Sequence, residues 1–216
     1  MIKKKHGFTL IELLVVISIL GIIMGLAISQ LGGVLGTSEK TQMQSIMRTW
    51  VIKLNQYKSH YGYYPPFLYD SGEGVPVMLN EPQDNQAKFL FSLKGKEKSD
   101  SGWSDGDSYE DENRDLKEFH SFSEDEFGSD GNLLAYESIG FLVDHDRDGV
   151  ITMDSGLVDE IITSLSQEYE EDEIENLKNA SENFSLINEE IALFILSDQS
   201  TNLSNLFSWN LDKYFD

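Results

Sequence analysis

The chain has 216 residues, enough for one domain of ordinary size plus an anchor. Its formal charge of −22 is split unevenly, +5 through His60 and −27 beyond it. So acidic a body lacks the basic footprint that a phosphate backbone needs, which excludes nucleic acid as a partner. The absence of cysteine excludes disulfides, thiolate metal sites and cysteine catalysis.

The N-terminus reads MIKKKHGFTLIELLVVISILGIIMGLAISQLGG, with Lys3, Lys4 and Lys5 ahead of a long apolar run. Between Glu12 and Glu39 lie 26 residues without a charge. At about 1.5 Å per helical residue, roughly 20 of them cross a hydrocarbon layer ~30 Å thick. A single membrane span is therefore expected, with the lysines holding the N-terminus in the cytoplasm and the acidic body exported. A cleaved secretory signal would have a shorter apolar region ending at a small-residue cleavage site. Glu12 is the anomaly, because an ionisable side chain in a bilayer helix costs about 3 kcal/mol.

Lys-Lys-Lys-His-Gly followed by Phe-Thr-Leu-Ile-Glu resembles the leader junction of type IV pilins and type II secretion pseudopilins. The resemblance implies that Gly7 is the last leader residue and Phe8 the new, N-methylated N-terminus. It makes Glu12 the fifth mature residue, whose carboxylate pairs with the freed amine of Phe8 on a neighbouring copy. Such a pair compensates in lipid what a lone carboxylate cannot. The partners implied are prepilin peptidase, other copies of the chain, minor pseudopilins and an inner-membrane secretion platform. The implied location is the bacterial inner membrane, crossed once, with a periplasmic head.

In residues 37–61, Met43, Ile46, Met47, Trp50, Leu54, Tyr57 and Tyr61 recur at three- and four-residue spacing, while Lys40, Arg48, Lys53 and Lys58 lie off that stripe. This predicts an amphipathic helix packed on a globular head. Gly62 and Pro65-Pro66 should end it. His60-Tyr61-Gly62-Tyr63-Tyr64-Pro65 is also similar to the helix exit of major pseudopilins.

Residues 97–130 hold 13 acids against Lys98, Arg114 and Lys117, and read as a long solvated loop. Asn132 to Val143 is rich in aliphatics and aromatics and predicts a strand or hairpin. It leads into Asp144-His145-Asp146-Arg147-Asp148-Gly149-Val150-Ile151. Carboxylates at positions 1, 3 and 5, glycine at 6 and an aliphatic at 8 match the first half of a calcium loop. The candidate ligands are Asp144, Asp146, Asp148 and the carbonyl of Val150. The twelfth position, where an EF-hand places a bidentate Glu, is Ser155, so closure would fall to Asp154, one residue early, or Asp159, four late. Oxygen-only ligation favours calcium over zinc. The pseudopilin resemblance also implies calcium in the C-terminal part of the head.

Leu157, Val158, Ile161, Ile162 and Leu165 predict an amphipathic helix capped by Asp154 or Ser155. Glu168 to Glu175 reads as an acidic surface stretch. Ile191 to Leu196 is apolar on both faces and fits either a buried strand or a short helix. Leu203, Leu206, Phe207, Trp209, Leu211, Tyr214 and Phe215 give the tail enough apolar mass to dock. No phosphate loop, nucleophile elbow or His-Glu-x-x-His is present, and enzymatic activity is not expected.

The expected fold is α+β, a long N-terminal helix on a small antiparallel-sheet head with extended acidic loops and further helices. The expected organisation is a leader at 1–7, a transmembrane half-helix at 8–36, an amphipathic half-helix at 37–61 and an acidic periplasmic head at 62–216. The expected function is that of a structural pseudopilus subunit. Alternatives are a minor or tip pilin, a type IV pilus subunit, and a membrane-anchored calcium- or ligand-binding module that does not polymerise.

Overall fold

A computed structural model describes residues 10–82, 84–135, 138–167, 169–179, 184–196 and 205–209, with the side chains of 10–13 and 20–39 outside the description. The chain divides into two compact units, Met1–Glu39 and Lys40–Asp216. Helix α1 runs over Leu10–Tyr61. In the first unit Leu14, Val15, Val16, Ile17 and Ile19 are each about half exposed. Among the described residues no helix is long and apolar enough to cross a membrane. The leader 1–7 and Phe8 lie outside the described residues, as do most side chains of the stretch 8–36 expected to span the membrane.

The second unit is α+β, built on an antiparallel sheet of order β1-β4-β7-β8. These strands are Val77–Met78, Ile139–Val143, Ile191–Ile195 and Leu206–Phe207. The central pair is in register from Ile139↔Ile195 to Val143↔Ile191. Both strands are buried along their whole length, because each face of the sheet is covered. Residues 191–195, ambiguous as a pattern, resolve as strand; an unbroken apolar run is what a doubly covered strand requires.

Alternation along the strands sorts their side chains between two cores. Ile139, Phe141, Val143, Ile191, Leu193 and Ile195 join Met43, Met47, Trp50, Leu54 and Tyr57 of α1 and Phe89, Leu90 and Leu93 of α2 (Asn85–Lys94). On the opposite face Leu142, Ala192 and Phe194 meet α3 (Ser155–Leu165) and α4 (Glu171–Asn179). The head is thus three layers, helix, sheet, helix. Gly140 sits opposite Phe194 because a Cβ there would lie 2.2 Å from the Phe194 ring.

The predicted amphipathic stripe of α1 is the buried one: Met43, Met47, Trp50, Leu54 and Tyr57 are each at most 2 % exposed. Gly62, at φ 83°, takes the left-handed turn that ends the helix and donates to the Lys58 carbonyl at 2.7 Å. Residues 97–130 differ from the expected solvated loop. They contain the hairpin of β2 (Glu97–Ser99) and β3 (Gly102–Ser104). They also place Glu112, Asn113, Phe119, Phe122 and Glu126 below 10 % exposure. A few aromatics suffice, since Phe119 and Phe122 pack on Tyr57 and Phe89 respectively. Of the expected strand or hairpin at 132–143, β4 is the strand that forms among the described residues, with Leu133 bridged to Phe127. The acidic stretch expected at Glu168 to Glu175 forms helix α4 over Glu171–Asn179. The tail docks through β8 and Trp209; Leu203, Leu211, Tyr214 and Phe215 lie outside the described residues.

Candidate metal-binding loop and the buried carboxylates

Strand β4 delivers Asp144 to the edge of the core. Its N–H donates to the Glu190 carbonyl at 3.1 Å, continuing the pairing with β7, and the residue is 4 % exposed. The chain then turns on its own aspartates. Asp144 accepts from the N–H of Arg147 through Oδ1 at 2.6 Å and from Gly149 through Oδ2 at 2.8 Å. Asp146 accepts from Asp148 N–H, and Asp148 from Val150 N–H at 2.8 Å. Arg147 at φ 64° and Gly149 at φ 89° supply the two left-handed residues the turn needs. Ile151, fully buried, enters β5 (Ile151–Thr152), which pairs with β6 (Leu186–Ile187) and anchors the loop from below.

The carboxylates of Asp144, Asp146 and Asp148 each bring an oxygen within 4.8 Å of the other two. None of the ion pairs among the described residues involves them. Three like charges held this closely repel, and a hard divalent cation is the group that this donor set offsets best. A carboxylate has about four lone-pair directions, so the bonds to backbone N–H leave acceptor capacity free. The remaining sequence candidates stand elsewhere. Val150 is half-buried after the turn. Asp154 caps α3, its Oδ1 accepting from Gly156 N–H at 2.7 Å. Asp159 lies along α3 beside a separate cavity of about 460 Å³.

Glu73 is the contact that sequence reasoning missed. Its Oε2 accepts from His145 N–H at 2.9 Å, from 72 residues upstream. Ser71-Gly72-Glu73-Gly74 is legible as a turn, but no local pattern says which loop it meets. Gly74 permits the approach: at φ 72°, a Cβ on it would fall 2.0 Å from the Thr152 carbonyl oxygen. His145 is half-buried and puts its ring edge-on to Tyr69, the centroids 5.3 Å apart.

Two carboxylates are buried in the head; the Glu126 side chain holds α1 directly, and Glu112 meets it through its backbone carbonyl, which accepts from Tyr57 OH at 2.6 Å. Glu126 accepts from Trp50 Nε1 at 2.7 Å and from Ser123 N–H at 2.9 Å, and pairs with His120 at 2.8 Å. Burial pushes its carboxyl up, but the bonds from His120, Ser123 and Trp50 outweigh it and hold the group below the ordinary value. Glu112 lacks such compensation. It accepts from Phe67 N–H at 3.1 Å, and burial drives its carboxyl up to about 7.

Gly7 and Phe8 lie outside the described residues, and Glu12 falls in α1 with its side chain outside them. Residues 2–28 match the family model for the prokaryotic N-terminal methylation motif, so the chain opens on a prepilin-type signal of the type IV pilin-like kind. No curated protein and no solved structure matches the chain.

Proposed function

We propose that the chain is a structural subunit of a type II secretion pseudopilus, anchored in the inner membrane through residues 8–36 and carrying its head in the periplasm. The observation that carries this reading is the methylation-motif match over residues 2–28, which contains the contiguous Gly7-Phe8 junction and Glu12. Prepilin peptidase cleaves after Gly7 and leaves an α-amine on Phe8. Glu12 of one subunit pairs with that amine on the next. The carboxylate makes solitary residence in lipid unfavourable and assembly favourable. The chain's work is mechanical: α1 supplies the filament core and the head its wall.

The head binds calcium through Asp144, Asp146 and Asp148. The ion supplies the positive charge that lets the three carboxylates sit together, and so holds together the loop between the central sheet and β5. Gly7→Ala tests the first step. The variant should run on a gel at the unprocessed mass, and normal trimming would refute the assignment. Glu12→Ala should be trimmed normally yet enter filaments poorly; normal filaments would sink the pairing argument.

A further inference from the structure

We infer that the cleft between α3 and the β1 edge of the sheet binds a small organic amine, its apolar body on the cleft floor and its ammonium group held at the rim by Asp159 and Glu160.

The cleft has a volume of about 460 Å³, within the range that small ligands occupy. It opens where the cover of the sheet runs out. Helix α3 packs on the central strands, joining Leu142, Ala192 and Phe194 in one core, whereas the edge strand β1 is two residues long and offers that core only the half-buried Met78. Met78, Leu157, Phe194 and the half-buried Leu196 make an apolar floor. The Phe194 ring lies over the backbone of Gly140, where a Cβ would meet it at 2.2 Å, and so packs down on the sheet.

The rim has one sign of charge. Asp159, Thr163 and Gln167, spaced by four, form an exposed row of α3 along the cleft, with Glu160 beside it. Neither acid takes part in any ion pair among the described residues, whereas Glu118 pairs with Lys94 and Asp84 with Lys88. No basic side chain lines the cleft among the described residues. From Ala135 to Leu177 the only basic residues are His145 and Arg147, both in the aspartate turn. Two unpaired carboxylates at the mouth disfavour an anion and favour a cation. The floor selects further, because a hydrated metal ion gains nothing from apolar contact while an alkyl or aryl body does. Helices α1 and α3 pack on opposite faces of the sheet, so the cleft faces away from the helix assigned to the filament core.

The probe is tryptamine, titrated calorimetrically at pH 7 and low salt into the full chain in neutral detergent, with empty micelles as the blank. Tryptophol keeps the ring without the charge, and spermidine keeps the charge without the ring. Tryptamine should bind about fivefold more tightly than tryptophol, the scale of a rim ion pair, and more tightly than spermidine. Asp159→Asn with Glu160→Gln should erase the preference over tryptophol and leave the melting temperature unchanged. Thr163→Trp, at an exposed position of α3, should fill the mouth and abolish binding of both indoles. The site is overturned if tryptamine does not bind, if tryptophol or spermidine binds as tightly, or if either variant binds as the wild type does.

Discussion

Replacing Glu112 by Gln should stabilise the head at neutral pH. The carboxyl is 6 % exposed, accepts one N–H from Phe67, and is raised from 4.5 to about 7, chiefly by burial. An acid whose folded value exceeds its unfolded one binds more protons when folded. Its contribution is complete below about pH 4.5 and lost as pH rises through about 7. At about 1.4 kcal/mol per unit, the displacement is worth on the order of 3 kcal/mol. Gln keeps an acceptor for Phe67 and removes the charge. At pH 8 the variant should therefore melt higher by on the order of 5–10 °C, at about 2–4 °C per kcal/mol for a chain of this size. At pH 4.5 the advantage should vanish. Thermal unfolding of the full chain in detergent at pH 4.5, 6, 7 and 8, scored as variant minus wild type, isolates this group from every other titration. A difference that stays flat across that range, or a variant less stable at pH 8, would refute the reasoning.

Glu126 carries the opposite sign: held below its ordinary value, it contributes stability above about pH 4.5 that is lost as pH falls further. Glu126→Gln should cost about 1–3 kcal/mol at pH 7 in urea unfolding, through the lost bonds to His120 and Ser123, with a smaller cost at pH 3. Gly140→Ala should destabilise by about 1–3 kcal/mol, because its Cβ enters the ring space of buried Phe194; an unchanged midpoint would mean the ring moves freely. Calcium should raise the melting temperature of the wild type, and Asp146→Ala should remove that gain while leaving the calcium-free value nearly unchanged. Equal losses with and without calcium would make the loop a structural turn only.

The two faces of the acidic segment 97–130 show why some of the head resisted a local reading. Thirteen acids outvote Phe119, Phe122 and Phe127 in any window average, yet those rings join the core that α1 and α2 share with the sheet, and Glu112 and Glu126 are buried in the same segment. Partners 22 to 76 residues away, such as Trp50 for Glu126 and Phe91 for Asn113, leave no periodic trace.

What the sequence determined by itself is whatever lies in consecutive residues: the methylation motif, the buried stripe of α1, the stop at Gly62, and the aspartate spacing at 144–148. Each depends on helix period, turn chemistry or a linear motif. The tertiary structure alone decided that 191–195 is a doubly covered strand, that Asp154 is committed to capping α3, that Glu73 meets His145, and that cationic α1 and acidic α4 stand on opposite sides of the sheet. Those outcomes depend on which distant surfaces are buried together, and burial is a property of the packed chain rather than of any stretch of it.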